Sequence, residues 1–128
     1  MPRPVHFEIH ASDPATLSQF YEKVFAWKIQ HMPQMNYWLL MTGDEKTPGI
    51  NGGMVQRRGP RPAAGASVNA FVCSIDVPSV DEYWNRAMKA GGSEALPKMA
   101  VPGVGYVAYI RDPDENIVGL FQPDKSAH

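Results

Sequence analysis

The chain has 128 residues and a mass of 14.2 kDa, which is the size of one ordinary domain. Its 44% of hydrophobic and 20% of charged residues are typical of a globular protein and exclude a disordered, collagen-like or coiled-coil chain. Twelve Lys and Arg against thirteen Asp and Glu give a net charge of -1, so the charge balance favours neither nucleic acid nor an anionic membrane as a partner.

The sequence contains no segment that predicts export or membrane insertion. The N-terminal residues lack the apolar stretch of a signal peptide, and the longest apolar run, residues 104–110, is far shorter than the roughly 20 residues that span a bilayer. The single cysteine, Cys73, cannot form an intrachain disulfide. It lies in the apolar stretch 70–73, which predicts a buried structural thiol. We therefore expect a cytoplasmic protein.

The first half of the chain predicts a strand, a helix and three further strands. Residues 5–10 read as the first strand, and Asp13-Pro14 then leads into apolar residues at helical spacing. The remaining strand candidates are separated by turn-forming residues. They cover residues 27–30, 37–42 and 50–56.

The second half of the chain repeats this pattern after a linker. Residues 57–66 are rich in Gly, Pro, Ala and Arg, which predicts a linker with solvated arginines. Residues 69–74 predict a strand that leads through Asp76 and Pro78 into a second helix, with a possible capping box from Ser79 to Glu82. Gly91-Gly92 is typical of a helix C-terminus.

Two sequence matches set the offset between the copies. Pro14 and Pro78 differ by 64 positions, whereas the echo of residues 53–56 in residues 119–122 gives 66. The repeat predicts two βαβββ modules in tandem within a single domain over residues 1–128. Module one covers about residues 4–56, the linker about 57–66 and module two about 67–123.

The duplicated pattern resembles the vicinal oxygen chelate superfamily, the group of glyoxalases, bleomycin-resistance proteins and extradiol dioxygenases. The pattern opens on His6-x-Glu8-x-His10 and closes on an Asp-Pro-Asp turn and apolar strand over residues 112–120. The Phe20-Tyr21 pair and the Val-Pro-Gly sequence at 101–103 add to the resemblance. It implies an α+β fold in which the two modules form a cupped mixed sheet with helices outside, and it implies a homodimer.

The metal-dependent members of this superfamily carry a ligand on the first and last strand of each module. The resemblance places these positions on His6, Gly53, Ala70 and Gly119, of which only His6 can bind a metal. One imidazole does not make a site for a divalent cation, because coordination needs three or more protein donors to compete with water. We therefore expect no metal and no other cofactor, and neither glyoxalase I nor ring-cleaving dioxygenase activity.

His6, Glu8 and His10 lie on one face of the first strand, since side chains alternate along a strand. The resemblance turns that face into the cup. Three interpretations of Glu8 stay open. It pairs structurally with Arg111, Lys98 or a histidine, or it anchors a ligand and acts as a general base, or it forms an off-pattern metal site with both histidines. The spacing of about 6.5 to 7 Å between alternate residues makes the third arrangement awkward.

The last strands of the two modules add further candidates. The same alternation turns Gly53 and Val55 toward the cup in the first module, and Gly119 and Phe121 in the second. Glycine at such a position indicates either a close approach of other atoms or room for a ligand, and both readings stay open.

Two aromatic pairs and one loop complete the candidate site. One side chain of the Tyr37-Trp38 pair faces the cup, and so does one of Tyr106 and Tyr109. Alternation alone does not say which one of each pair it is. Residues 96–103, which include Lys98, predict a loop over the mouth of the cup. The candidate catalytic residue is Glu8, and the candidate ligand-binding residues are His6, Glu8, His10, Tyr37, Trp38, Gly53, Val55, Lys98, Tyr106, Gly119 and Phe121.

These features favour a glyoxalase- or bleomycin-resistance-like protein that binds a small organic molecule in the cup without a metal, either to sequester it or to process it by acid-base chemistry. One alternative is a metal-dependent lyase, isomerase or dioxygenase with ligands at nonstandard positions. Another is a non-catalytic, stress-associated scaffold. Whether the protein is an enzyme stays open. The apolar strand at residues 116–122 is expected at a sheet edge, where a second subunit would cover it.

Overall fold

A computed structural model of the chain describes residues 3–128, so Met1 and Pro2 of the domain predicted over residues 1–128 lie outside the described residues. The chain divides into two compact units, Met1–Arg61 and Pro62–His128. Each unit contains a four-stranded mixed sheet and one α-helix in the order strand, helix and three strands. The α+β class and the tandem βαβββ modules are therefore confirmed.

The first unit arranges its strands in the order β1-β4-β3-β2, with β1 parallel to β4 and the other neighbours antiparallel. Its elements are β1 (Phe7–Ala11), α1 (Pro14–Phe25), β2 (Lys28–Met32), a short 3-10 helix (Pro33–Met35), β3 (Tyr37–Met41) and β4 (Gly52–Gln56).

Helix α1 begins and covers the first sheet as the sequence predicts. The Asp13 carboxylate accepts hydrogen bonds from the backbone N–H and the hydroxyl of Thr16 at 3.3 and 2.8 Å, and Pro14 occupies the first turn. The apolar face of α1 packs on one side of the sheet, where Leu40 and Met54 are completely buried. This contact leaves the other side of the sheet without a helix from its own unit.

The second unit repeats the topology in the order β5-β8-β7-β6. Its elements are β5 (Ser74–Asp76), α2 (Val80–Lys89), β6 (Ser93–Val101), β7 (Gly105–Arg111) and β8 (Ile117–Pro123). Strand β8 lies between β5 and β7, so the expectation that this strand forms a sheet edge is wrong. Its parallel pairing with β5 covers the edge that the sequence left open.

Both ends of α2 are capped by the residues that the sequence indicates. The Ser79 hydroxyl accepts a hydrogen bond from the N–H of Glu82 at 3.1 Å. At the other end, the N–H groups of Gly91 and Gly92 donate to the carbonyls of Met88 and Ala87, which is the Schellman arrangement. Gly91 adopts a φ of 101°, a conformation that favours glycine.

The Asp-Pro-Asp turn before β8 is held by one buried carboxylate. Asp112 is 2% exposed and accepts hydrogen bonds from the backbone N–H groups of Asp114 and Asn116 and from the Asn116 amide, at 2.8 to 3.0 Å. A turn of this kind positions the last strand of the module. The part of the motif that carried the resemblance therefore has a structural role.

Two predictions in the second module are wrong. Strand β5 begins at Ser74 instead of residue 69, which leaves Cys73 exposed rather than buried. Apolar residues alone do not make a strand without ladder partners, and Phe71 in the same stretch is fully solvent-exposed. Residues 96–101 belong to β6 and not to a loop, because they pair with β7 across two irregularities in register.

The structural repeat has an offset of 66 in the first strand, the helix N-cap and the last strand of each unit. Glu8 pairs with Gly53 in the first sheet and Ser74 pairs with Gly119 in the second, and the helix N-caps Asp13 and Ser79 keep the same offset. The match of Pro14 with Pro78 is therefore not an equivalence in the fold. By this offset the counterpart of His6 is Val72 and not Ala70.

One linker arginine has a defined place in the first unit. The backbone N–H of Arg57 donates to the carbonyl of Ala11, and its guanidinium donates to the carbonyl of His10 at 2.9 Å. This residue extends the β1–β4 pairing, so the expectation of a solvated side chain is wrong for Arg57. No helix in residues 3–128 combines the length and the apolar character needed to cross a membrane.

Candidate functional site

The first sheet presents its candidate residues on the side that α1 does not cover. Met54 is buried under α1, and its neighbours Gly53 and Val55 therefore point to the opposite side. Paired residues lie on the same side of a sheet, so Glu8 lies on the side of its partner Gly53, and Tyr37 on the side of its partner Val55. We call this side the open face. It also carries His10, Leu39 and Met32.

Three side chains on the open face are joined by hydrogen bonds. The Nε2 atom of His6 lies 2.8 Å from the hydroxyl of Tyr37, and that hydroxyl donates to Oε2 of Glu8 at 3.3 Å. A phenol has one proton, so a Tyr37 that donates to Glu8 must accept from His6. The network thereby assigns the hydrogen of the imidazole to Nε2. We call this group the His6–Tyr37–Glu8 chain.

The environment of Tyr37 keeps its phenol protonated. Partial burial raises the pKa of Tyr37 above its ordinary value of 10.0, and the negative charge of Glu8 and the hydrogen bond to it raise the pKa further. Ionising the phenol would place two negative oxygens side by side and remove the donor. Tyr37 therefore serves the face as a neutral donor rather than as a phenolate base.

Gly53 makes room for the ring of Tyr37. A Cβ built at Gly53 would collide with the hydroxyl oxygen and the end of the ring of Tyr37, so the phenol lies directly over the backbone of β4. Of the two readings of this glycine, the structure supports close approach, and the approaching atoms belong to a side chain. The phenol thus fills the space that a metal-binding side chain at position 53 would use.

The strand register decides which aromatic side chain shares the open face. Tyr37 does, whereas Trp38 lies on the side of α1 and stacks on His31 with ring centroids 4.2 Å apart. His10 lies on the open face two residues beyond Glu8 and is exposed. The structure therefore brings His6, Glu8, Tyr37 and Gly53 together and separates Trp38 from them.

The candidates in the second unit divide between the two sides of their sheet. Leu120 is fully buried on the side of α2, so Gly119 and Phe121 point the other way. Tyr109 pairs with Gly119 and shares this side, and a Cβ at Gly119 would lie 3.2 Å from its ring and 2.6 Å from the Ser74 hydroxyl.

Tyr106 and Lys98 belong to the contacts of α2 with its sheet. The Lys98 ammonium lies 3.0 Å from a carboxylate oxygen of Asp81 in α2 and 4.8 Å from the centre of the Tyr106 ring. Tyr109, and not Tyr106, occupies the side of Gly119. The sequence left that choice open because it does not show the register of β7. The suggested Glu8 partners Lys98 and Arg111 engage Asp81 and Glu115.

The residues at the four positions that the resemblance assigned to metal ligands do not fit a divalent cation. Gly53, Gly119 and Val72 offer no side-chain donor, so His6 is the one residue among these four positions with a metal-binding side chain. Within residues 3–128 no three His, Cys, Asp or Glu side chains group closely enough to hold a metal ion. That statement includes the His6, Glu8 and His10 grouping considered from the sequence.

Two cavities lie away from the open face. One of about 300 Å³ is formed by the polar β3–β4 loop, between Thr42 and Asn51. Another of about 260 Å³ lies between α2 and β6 and is lined by Trp84 and Pro97 beside the Asp81–Lys98 ion pair. The only sequence candidate among these lining residues is Lys98.

The Tyr37 interactions were missed at the sequence level. Tyr37 is 29 and 31 positions from Glu8 and His6, and its contact with them depends on how β3 and β4 pair. The one signal in the sequence was Gly53, whose missing side chain leaves space for a neighbour.

Comparisons with known proteins support the fold. A family model described as bleomycin resistance protein-like N-terminal matches residues 3–43. No curated protein matches the chain. A fosfomycin resistance protein, FosX, from Listeria monocytogenes superposes with a TM-score of 0.70 at 16% identity, covering 97% of this chain and 95% of its own.

Two further solved structures give the same result. A glyoxalase/bleomycin resistance protein/dioxygenase family enzyme from Burkholderia phytofirmans has a TM-score of 0.69 at 18% identity, with 93% of this chain and 97% of that chain covered. A glyoxalase-related enzyme from Fulvimarina pelagi has a TM-score of 0.70 at 18% identity, with 100% and 98% covered. At these identities the likeness is one of fold.

Proposed function

We propose that the chain, whose fold is that of the solved glyoxalase, bleomycin-resistance and fosfomycin-resistance structures, is a glyoxalase- or bleomycin-resistance-like protein that binds a small organic molecule on the open face without a metal. The observation that carries this proposal is the His6–Tyr37–Glu8 chain, in which a phenol takes the place of a side chain at Gly53. In this proposal the ligand is recognised by the polar side chains of His6, Tyr37 and Glu8 instead of by a metal ion.

The surroundings of these polar groups support a ligand site. Tyr37 pairs across the sheet with Met32 and Val55, and Leu39 follows it along β3, all three being half-buried. Small-molecule sites are mostly apolar surfaces with a few polar groups that fix orientation. The open face has this composition.

The proposal includes acid-base chemistry with Glu8 as the proton acceptor. The hydrogen bond from Tyr37 occupies Oε2 and restrains the carboxylate, which leaves Oε1 for a proton of the bound molecule. Tyr37 keeps its own proton during this step because its pKa is raised. His6 acts on Glu8 through Tyr37 and is a positioning residue.

The test is a fragment-library screen by protein NMR on the wild type and on Glu8→Gln, with Glu45→Gln in the exposed β3–β4 loop as the matched control. We expect hits whose shifts map to the open face and whose affinity falls about tenfold or more in Glu8→Gln, equivalent to about 1.4 kcal/mol. Hits should not depend on added zinc, nickel, iron or manganese. Hits that bind all three proteins equally, or only with a metal, would contradict the proposal.

We also propose that the two modules act as one domain and that the protein is a cytoplasmic homodimer. Support for a partner comes from the second unit, where β5 is an edge strand and the preceding residues Val68 and Phe71 are 50% and 102% exposed. Support for a reducing compartment comes from the exposed thiol of Cys73, which has no second cysteine to pair with.

A further inference from the structure

We infer that the molecule bound on the open face carries a protonated amine that binds Glu8 and an apolar body that lies on Met32, Leu39 and Val55. This inference rests on the proposed function and names the chemical class of its ligand.

The first step concerns the carboxylate of Glu8. An ionised carboxylate is only an acceptor and has about four lone-pair positions. In the described part of the chain, the hydrogen-bond partner of Glu8 is Tyr37, which uses Oε2 at 3.3 Å. Glu8 is exposed, and its Oε1 is left as an acceptor that a donor on a ligand can use.

The second step concerns the donors near this carboxylate. The Tyr37 hydroxyl gives its proton to Glu8, and Nε2 of His6 gives its hydrogen to Tyr37. Both of these hydrogens are therefore used within the His6–Tyr37–Glu8 chain. The charged group of the His6–Tyr37–Glu8 chain is thus an acceptor with an unused oxygen.

The third step follows from complementarity. An anionic ligand would be repelled by the charge of Glu8, whereas an ammonium group has three donors and the opposite charge. The Tyr37 ring beside the carboxylate adds an aromatic face, which attracts cations. Charge and hydrogen bonding therefore select the same class of head group.

The apolar part of the ligand follows from the neighbours of Tyr37. Met32 and Val55 flank it on the adjacent strands and Leu39 lies two residues along β3. Directly opposed side chains in a sheet have Cβ atoms about 4.5 to 5.5 Å apart, so these residues form a continuous surface around the phenol. An aryl or alkyl amine can cover it while its ammonium group reaches Glu8.

The experiment uses three probes with one skeleton, namely 2-phenylethylamine, 2-phenylethanol and 3-phenylpropionate. Each is titrated by protein NMR into the wild type, Glu8→Gln, Tyr37→Phe and the control Glu45→Gln. We expect the amine to bind the open face about tenfold more tightly than the alcohol, and the carboxylate to bind more weakly still. The amine preference should disappear in Glu8→Gln and persist in Glu45→Gln.

Tyr37→Phe separates recognition from folding. It frees Oε2 of Glu8, so a folded Tyr37→Phe protein should keep the amine preference or increase it. A loss of the preference in this variant would overturn the role given to Glu8.

Two other results would overturn the inference. If the alcohol or the carboxylate binds the open face as tightly as the amine, the ligand class is wrong and the proposed function stands. If no probe binds the open face, the amine class fails, and the fragment-library screen decides separately whether the face binds any small molecule.

Discussion

Two adjacent glycines in β4 are expected to respond differently to the same substitution, because different atoms block them. A Cβ at Gly52 would lie 2.5 Å from the backbone oxygen of Phe7 and 2.7 Å from its ring, and a strand backbone cannot move aside alone. A Cβ at Gly53 would collide only with the end of the Tyr37 side chain among its nearest atoms, and that side chain can rotate. Gly53→Ala should therefore displace Tyr37 and leave the sheet intact.

The expected change in unfolding free energy depends on which atoms the new Cβ meets. Overpacking a site such as Gly52 costs about 1 to 3 kcal/mol of unfolding free energy. For Gly53→Ala, the loss of two exposed hydrogen bonds of Tyr37, about 0.5 kcal/mol each at the low end of the range, is offset by about 0.5 to 1 kcal/mol from replacing a strand glycine. The net change should lie within about 1 kcal/mol of zero.

The assay is urea denaturation of both variants, each also made in a Tyr37→Ala background, with Gly43→Ala as the control at an open loop position. Without the phenol, Gly53→Ala should be stabilising by about 0.5 to 1 kcal/mol, whereas Gly52→Ala should remain costly. If Gly53→Ala costs as much as Gly52→Ala in both backgrounds, Tyr37 is not the group that occupies the space above Gly53.

Three further results are expected. Glu8→Gln should lower the pKa of Tyr37, measured by phenolate absorbance, with Tyr37→Phe identifying the signal; an unchanged titration would contradict this. Because the pKa of Tyr37 is raised in the folded state, the stability linked to it is present below pH 10.0 and is lost as the pH rises further. Asp112→Ala should cost about 2 to 4 kcal/mol in urea denaturation, whereas Asp44→Ala, at an exposed turn, should change stability by about 0.5 kcal/mol; equal costs would refute the role of burial. Light scattering should give twice 14.2 kDa, and a mass of 14.2 kDa at micromolar concentration would contradict the homodimer.

The fold could be predicted from the sequence because its signals are local. Asp13 and Ser79 cap their helices through backbone groups three residues away, and Gly91 ends α2 through its own positive φ. Each of these signals is complete within one turn of chain. The module order followed from them together with the repeat.

The errors occurred where a residue's state depends on a distant strand. Cys73 lies in an apolar stretch, but the parallel ladder of β5 with β8 begins only at Ser74. Lys98 follows a proline and was expected in a loop, yet the β6–β7 pairing continues past it through a shift in register. Pairing of this kind is not encoded in the apolar pattern of either strand alone.

The candidate site depends both on a local signal, the alternation along one strand, and on the pairing of distant strands. Alternation was enough to put Glu8 and His10 on one side of β1, since it needs no partner, whereas His6 precedes β1 and reaches this side through its bond to Tyr37. The bonding of Tyr37 to His6 and Glu8 needed the register of three strands, because β3 reaches β1 only across β4. Gly53, in that intervening strand, is what allows the contact to form.

The contact with Tyr37 changes the interpretation of His6, one of the residues on which the resemblance rested. The resemblance placed His6 at a metal position, which by itself suggests a metal ligand without its partner residues. With Tyr37 in place, Nε2 of His6 is a donor within a hydrogen-bonded chain that ends on a carboxylate. The phenol from β3 lies over Gly53 and bonds to Nε2 of His6, so the residues at these two positions are joined by one side chain of a third strand. The cation that we infer for this site is a different one, the ammonium group of an amine that binds Glu8.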